Sequence, residues 1–154
     1  MRPAATSRRA SLRIRAARID EWKTLEDLQR RASLEPGPYR EQLLAHPDAI
    51  ALPAGQIERG EVMVGEIDGR IAGFAAVLEK DGKAELDGLF VDPQLSRQGV
   101  GSALVANAVH EARRRGLSLT VVASPEGRIF YEKCGFTVAG QAETRFGPAL
   151  LLSR

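Results

Sequence analysis

The chain has few of the residues that build disulfide frameworks and metal sites. Cys134 is its single cysteine, and its two histidines, His46 and His110, are far apart in sequence. One cysteine excludes an internal disulfide and an all-cysteine metal site, and without an HxxxH or CxxC pair we expect no metal centre. A reducing compartment follows, with the cytoplasm as the default location.

Long apolar runs are also missing. No stretch approaches the ~18 apolar residues of a membrane-spanning helix. The start, MRPAATSRRAS, has arginines but no apolar segment behind them, so it does not resemble a secretory signal. We expect residues 1–10 to be a disordered basic tail. Residues 11–154 are expected to form a single domain, since that length supports one hydrophobic core.

The part of the chain expected to fold lacks an excess of positive charge. The whole sequence carries a formal charge of +2, and residues 1–10 contribute three arginines and no acid, which leaves −1 for the rest. The sequence pI of about 9.0 is therefore largely a property of the tail. Because nucleic-acid binding relies on a basic surface, the sequence predicts no nucleic-acid partner, and it predicts no membrane partner.

The sequence is rich in alternation of apolar and polar residues, which predicts half-buried strands. Two Asp-Gly pairs, Asp68-Gly69 and Asp81-Gly82, are favoured two-residue hairpin turns. Helical spacing of apolar residues begins near Trp22, and Trp22 and Phe74 are expected in the core or in a pocket wall. The predicted elements of this half are a strand at 11–17, helices at 21–33 and 39–45, an irregular segment at 47–60, and strands at 62–67, 70–79 and 83–91.

The second half begins with a helix that runs to about Arg115 and is closed by Gly116. A strand at 117–123, a short helix at 125–136 and a final strand pair complete the chain. The helix that crosses between strands 83–91 and 117–123 makes them a parallel pair. The fold class is therefore α/β (an α+β mixed sheet), in the order β-α-α-β-β-β-α-β-α-β-β and largely antiparallel.

The strongest functional pattern is LFVDPQLSRQGVGSALVANAV, residues 89–109. A strand ends at Asp92-Pro93, and a loop with Gly99 and Gly101 opens directly into a helix. Backbone N–H groups and a helix dipole then point at one place, which suits a phosphate or pyrophosphate. A Rossmann fingerprint would need a third glycine where Leu104 stands, and the Gly-Lys pair of a Walker loop is missing.

A second pattern, SPEGRIFYEKCGF at residues 124–136, lies after the next parallel strand. With the loop SRQGVG (96–101) and the strand end LFVDP (89–93), the sequence resembles the GNAT superfamily of acetyl-CoA-dependent N-acetyltransferases. The loop follows the family pattern [Q/R]-x-x-G-x-[G/A], and residues 124–136 follow N-x-x-A-x-x-[F/L]-Y-x-K-x-G-F. Ser96, Ser124 and Gly127 depart from the usual Gln or Arg, Asn and Ala.

The resemblance implies a GNAT-like fold whose parallel pair splays apart to hold acetyl-CoA, with no metal. By the same resemblance, Tyr131 is the general acid that protonates the departing thiolate, and Glu85 is the general base that deprotonates the amine. The implied cofactor-binding residues are Leu89, Phe90, Val91, Arg97, Gln98, Gly99, Val100, Gly101, Ser102 and Ser124.

Several alternatives stay open at this point. Tyr131 also suits a helix anchor with its ring in the core, and Glu85 and Asp87 also suit the solvated face of a strand. The departures at Ser96 and Ser124 keep a non-catalytic acyl-CoA-binding or sensory module as the second hypothesis. The acceptor is a small-molecule or peptide amine, with a small amine or amino-acid-like molecule preferred. Dimers are common in the family, so a homodimer is one of the open oligomeric states.

Overall fold

One mixed sheet of seven strands organises the protein. The structure, a computed structural model, describes residues 11–37 and 39–154. The strands are β1 (Leu12–Ala16), β2 (Val62–Ile67), β3 (Arg70–Lys80), β4 (Lys83–Val91), β5 (Leu119–Ala123), β6 (Thr137–Thr144) and β7 (Gly147–Ser153). Their spatial order is β1-β2-β3-β4-β5-β7-β6, with β4 and β5 parallel and the other neighbours antiparallel. The predicted fold class is confirmed, whereas the predicted tail at residues 1–10 lies outside the described residues.

In the described part of the chain, five α-helices connect the strands, one more than the sequence predicted. They are α1 (Trp22–Ser33), α2 (Arg40–Ala45), α3 (Ala54–Glu58), α4 (Val100–Arg114) and α5 (Arg128–Lys133). The expectation of an irregular 47–60 segment is wrong at α3, where Gln56 and Ile57 are buried. Five residues are too few to show helical periodicity in a sequence. Among the described residues, no helix has the length and hydropathy needed to cross a membrane.

Both predicted Asp-Gly turns are present. Asp68 and Gly69 have φ values of 50° and 80°, and Asp81 and Gly82 have φ values of 52° and 74°. Two successive residues with positive φ match the twist of a tight hairpin. The turns fix β2, β3 and β4 as a meander, which places β4 beside the crossover to β5.

The two faces of the sheet carry separate hydrophobic cores. Helix α4 and residues such as Phe136 cover one face, along β3, β4, β5 and β7. Helices α1 and α3 cover the other face at β2 and β3, where Phe74 is fully buried. Trp22 is 40 % exposed, and its indole N–H donates to the Leu52 carbonyl at 2.6 Å. Phe74 therefore lies in the core, whereas Trp22 lies outside it, and its alternative placement in a pocket wall stays a prediction.

A charged network joins the first strand to the first helix. The Arg15 guanidinium donates to both carboxylate oxygens of Glu21 at 2.9 and 2.7 Å, and to Glu66 at 3.1 Å. Glu21 is buried, and the hydrogen bond from Arg15 holds the pKa of its carboxyl below the usual value. Removing one member would leave a buried charge without its partner, so the network holds β1, β2 and the start of α1 together.

Candidate active site

The parallel pair at the centre of the sheet separates part-way along. Three residue pairs join the strands: Ala84–Leu119, Glu85–Thr120 and Leu86–Val121. Strand β4 continues to Val91. The Asp92 N–H donates to the Ala72 carbonyl on β3 at 2.8 Å. Because bonded positions alternate along an antiparallel strand, the N–H and C=O groups of Leu89 and Val91 point away from β3 and into the gap.

A β-bulge marks the point where the gap begins. Ala76 opposes Gly88 and Val77 opposes Leu86, so Asp87 is the extra residue on β4. The side chains that pack on the α4 core shift from Leu86 before the bulge to Leu89 after it. A Cβ on Gly88 would lie 2.8 Å from the Phe90 ring, so only glycine allows this close approach without a shift. The bulge therefore re-aims the backbone of β4 toward the gap.

The loop after β4 presents a row of free backbone donors. Gly99 has a φ of 80° and directly precedes α4, a helix of fifteen residues. The first α-helical bond runs from the Ala103 N–H to the Gly99 carbonyl. Within the described residues, none of the N–H groups from Arg97 to Ser102 donates to a backbone carbonyl. These donors and the positive end of the helix dipole suit a diphosphate.

Buried contacts hold this loop at the end of β4. The Asp92 side chain is 5 % exposed and accepts hydrogen bonds from the Gln94 N–H and from Arg31 on α1, both at 3.0 Å. A Cβ on Gly101 would lie 3.4 Å from the Phe130 ring and 3.5 Å from Val91. The start of α4 thus stands directly between the end of β4 and α5.

Tyr131 on α5 lies beside the end of β5. A Cβ on Gly127 would lie 3.7 Å from the Tyr131 ring and 3.6 Å from Ala123. Edge-to-face contacts with Phe130 (5.0 Å) and Phe136 (5.6 Å) fix the ring. Burial raises the pKa of Tyr131 to about 12, so the phenol is neutral at ordinary pH. No buried side-chain oxygen in the described part of the chain lacks a partner, and the Tyr131 hydroxyl makes no hydrogen bond there, so it reaches an accessible surface.

Two carboxylates lie on the face of the sheet opposite α4. Glu85 opposes Leu78 on β3 and Thr120 on β5, one residue before the strands separate. Asp87 is exposed and accepts a weak hydrogen bond from Gln56 at 3.4 Å. If the β4–β5 register continued, Asp87 would stand level with Val122. Both carboxylates therefore flank the mouth of the gap.

A cavity of about 160 Å³ opens at the end of β5. It is lined by residues from the α1–α2 connection, from β5 and from the β6–β7 hairpin: Tyr39, Val122, Ala123, Ser124, Thr144, Phe146 and Ala149. Val122 is 38 % exposed, and its side chain shares a face with Thr120, the register partner of Glu85. Residues two apart on a strand are about 7 Å apart, so Val122 in the cavity lies about 7 Å along β5 from Thr120, the residue that Glu85 faces on the neighbouring strand.

A second cavity, of about 260 Å³, lies between α4 and strands β2 to β4. Its walls are mainly apolar and include Met63, Val77 and Leu104, and Asn107 and Arg115 also line it. It occupies the C-terminal part of α4, away from the donors at Arg97–Ser102. Among the described residues, no three His, Cys, Asp or Glu side chains are grouped as metal ligands would be.

Comparison with known proteins supports this arrangement. The sequence model of the acetyltransferase (GNAT) domain matches residues 58–138, which include the gap, the donor loop and Tyr131. The chain belongs to this family. The family prediction made from residues 89–101 and 124–136 is therefore confirmed.

Two proteins with similar sequences are named as N-acetyltransferases. A 5-NmdU N-acetyltransferase of Pseudomonas phage PaMx11 is 34 % identical over 95 residues, covering 60 % of this chain and 68 % of the phage protein. An uncharacterized N-acetyltransferase of Methanocaldococcus jannaschii is 36 % identical over 82 residues, or 46 % of this chain. That match spans 36 % of the archaeal protein's length.

The fold of the GNAT domain also recurs in solved structures. The PaiA N-acetyltransferase of Thermoplasma acidophilum, solved in complex with coenzyme A, aligns with a TM-score of 0.75 at 20 % identity. The alignment covers 94 % of this chain and 98 % of that protein. At this identity the likeness concerns the fold, which extends over nearly the whole chain.

Most of the predicted site residues lie along the gap between β4 and β5, either on the β4 side or at the end of β5. Leu89, Phe90 and Val91 form its β4 edge, and Arg97 to Ser102 form the donor loop. Ser124 directly follows β5 and lines the smaller cavity. Arg145, on the turn between β6 and β7, pairs with Asp48 at 3.0 Å.

Sequence reasoning missed Tyr39, Val122 and the bulge at Asp87. Tyr39 belongs to no sequence motif, and only the tertiary fold places it in the same cavity as Thr144. The bulge has a weak signal, Gly88 within a strand pattern, because an isolated strand glycine suggests a bulge or a close backbone approach.

Proposed function

We propose that the chain transfers an acetyl group from acetyl-CoA to a primary amine by direct attack in a ternary complex. The main support is that a free β4 edge and the unpaired N–H groups of Arg97–Ser102 lie together at one gap in the sheet. Residues 11–154 would act as one catalytic domain. Membership of the GNAT family supports the reaction class.

The residues present fit coenzyme A along the whole gap. The N–H groups of the donor loop (Arg97, Gln98, Gly99, Val100, Gly101 and Ser102) would bind the diphosphate, and Arg97, exposed at a φ of 65°, would add positive charge. The backbone of Leu89, Phe90 and Val91 would pair with the amides of the pantetheine arm as an added strand. Ser124, at the end of β5, would hydrogen-bond to the arm from the opposite side. The bound thioester supplies an activated acetyl group.

Glu85 would prepare the acceptor. An amine arrives mainly as an ammonium ion near pH 7 and must lose a proton before its lone pair can attack. Glu85 would accept that proton, directly or through a water molecule, because it lies beside the mouth of the gap. The carbon–nitrogen bond then forms as the carbon–sulfur bond breaks, with the Leu89 N–H placed to stabilise the developing oxyanion.

Tyr131 would donate its phenolic proton to the departing sulfur, so that coenzyme A leaves as a thiol. The second proton, which the nitrogen loses on becoming an amide, would return to the Tyr131 phenolate directly or through a water molecule, and the first proton stays on Glu85 until solvent takes it. Its raised pKa, about 12, keeps the phenol protonated and ready to donate. A thiolate released into the same desolvated gap is also a stronger base than in water, which reduces the mismatch with such a weak acid. The hydroxyl makes no hydrogen bond within the described residues and is free to take this role.

A pair of assays tests the proposal against a non-catalytic acyl-CoA-binding or sensory module. Thiol release from acetyl-CoA is measured with a panel of amines, and acetyl-CoA binding is measured by calorimetry. Binding with amine-dependent thiol release and an acetylated product supports the transferase. Binding without turnover across small amines, amino acids, lysine peptides and N-terminal peptides would favour the module.

A further inference from the structure

The cavity at the end of β5 has the location expected of an acceptor site, and its lining indicates what kind of amine it takes. This inference rests on the acetyl transfer proposed above. Two aromatic rings, Tyr39 and Phe146, and the aliphatic side chains of Val122 and Ala149 form most of the wall. Thr144 and Ser124 add hydroxyls. None of the seven described lining residues is charged.

Arg145, which lies next to the lining residue Phe146 in the chain, is already paired. Arg145 donates to both carboxylate oxygens of Asp48, at 3.0 and 3.4 Å, and this contact lowers the pKa of Asp48. The Arg145 guanidinium also stands 5.4 Å from the centre of the Phe146 ring. None of the described lining residues carries a carboxylate, so an acceptor with several cationic groups, such as a polyamine or an aminoglycoside, would find no partner for its further charges inside the cavity. A carboxylate on the acceptor would have to displace Asp48 to pair with Arg145.

The size of the cavity limits the group that it can hold. Its volume is about 160 Å³, and an apolar protein cavity of about 150 Å³ accommodates one benzene molecule. A single ring therefore fills the space. Ring-on-ring contact with Tyr39 and Phe146 contributes beyond apolar burial, which favours an aromatic group over an alkyl chain of equal size.

We propose that the acceptor is an arylalkyl monoamine, in which one or two carbons separate the primary amine from an aromatic ring. The ring occupies the Tyr39–Phe146 cavity, and the short linker carries the nitrogen toward the gap. The last β4–β5 register pair is Leu86–Val121, so Asp87 and Val122 each follow it by one residue on their own strand, and Glu85 precedes it by one. The nitrogen would therefore emerge on the side of the gap where both carboxylates lie. A longer linker would carry the nitrogen past them.

Steady-state kinetics with the full chain and saturating acetyl-CoA test this choice. The panel is phenethylamine, isopentylamine, ethylamine, spermidine and kanamycin. We expect kcat/KM for phenethylamine to exceed that for ethylamine by about tenfold or more, as for a filled apolar pocket. Phe146→Ala should lower kcat/KM for phenethylamine about tenfold more than for ethylamine, and Phe146→Leu should give an intermediate loss.

Val138→Ala, at an exposed site on the outer strand β6, is the matched control and should leave both values unchanged. Preference for spermidine, kanamycin or isopentylamine, or an equal loss for both amines in Phe146→Ala, would overturn the inference while leaving acetyl transfer intact. Acetyl-CoA binding without turnover of any amine would instead contradict the proposed function itself.

Discussion

The two halves of the sheet differ in how they are covered. Strands β2 and β3 are enclosed between α4 on one face and α1 and α3 on the other, and Phe74 at their centre is fully buried. Beyond the gap, β5 and β7 contribute to the α4 core, but within the described residues the second core contains no side chain from β5, β7 or β6. Val122 on that side is 38 % exposed.

This difference suggests a division of tasks. The enclosed half fixes the β4 edge and the donor loop, which in our proposal hold the charged cofactor in one geometry. The open half leaves an apolar face next to the gap, where an acceptor can enter. The predictions below test this division, beginning with the largest expected effect.

Stability should depend far more on the enclosed half than on the outer strand. Phe74→Ala removes a fully buried ring and should lower the free energy of unfolding by about 3–5 kcal/mol. Val138→Ala, at a site 39 % exposed, should change it by less than about 0.5 kcal/mol. Urea denaturation of both variants measures the contrast, and losses of similar size would show that the halves are equally packed.

The enclosed half was also the more predictable from sequence. Strand alternation and the turns at Asp68-Gly69 and Asp81-Gly82 are local signals, and they were sufficient for β2, β3 and β4. The donor loop followed from Gly99 and Gly101 in the same way. Local chemistry fixes these elements, so a single sequence contains the information.

The cavity at the end of β5, our proposed acceptor site, was not predictable in the same way. Tyr39 and Phe146 are more than one hundred positions apart, and only the packing of the α1–α2 connection against the β6–β7 hairpin brings them together. The ion pair between Asp48 and Arg145 joins residues that are similarly far apart in the sequence. Helix α3 was missed because five residues show no period, and the bulge at Asp87 because it depends on the register with β3.

Loss of the phenol should give the largest catalytic effect. Tyr131→Phe keeps the ring contacts and removes only the hydroxyl, so we expect kcat to fall by about 100-fold, the lower range for a general acid. KM for acetyl-CoA and the melting temperature should stay near wild type, because the hydroxyl makes no hydrogen bond in the described structure. An unchanged kcat with a true acceptor would reduce Tyr131 to a helix anchor.

Removing the charge of Glu85 should lower activity more than removing the charge of Asp87, because Glu85 is the proposed general base. Glu85→Gln should lower kcat/KM about tenfold at pH 7, with the deficit narrowing toward pH 9.5, because more of the amine then arrives already deprotonated. Asp87→Asn is the matched variant and should lose less, since Asp87 already bonds Gln56. pH–rate profiles of both variants decide the matter. A larger, pH-dependent loss in Asp87→Asn would transfer the role to Asp87.

Burial of Tyr131 should also be visible in stability at high pH. An unfolded phenol ionises near pH 10, whereas the folded pKa is about 12. The folded state holds the proton more tightly, so this stabilisation is complete below pH 10 and is lost as the pH rises toward 12. Wild type should lose up to about 1.4 kcal/mol per pH unit relative to Tyr131→Phe in that window. Chemical denaturation of both proteins at pH 9 and pH 11 measures this loss. If the stability difference between wild type and Tyr131→Phe is the same at both pH values, the phenol is accessible and its pKa is not raised.

The most direct test of the account is to map where coenzyme A binds. In a two-dimensional ¹H–¹⁵N NMR titration of the full chain, the account predicts that the amide signals of Leu89, Val91 and the donor loop Arg97–Ser102 shift together with one dissociation constant. Signals from Asn107 and Arg115, in the cavity under α4, should stay in place. Shifts concentrated at that second cavity, or none in the donor loop, would contradict the assignment of the gap as the cofactor site.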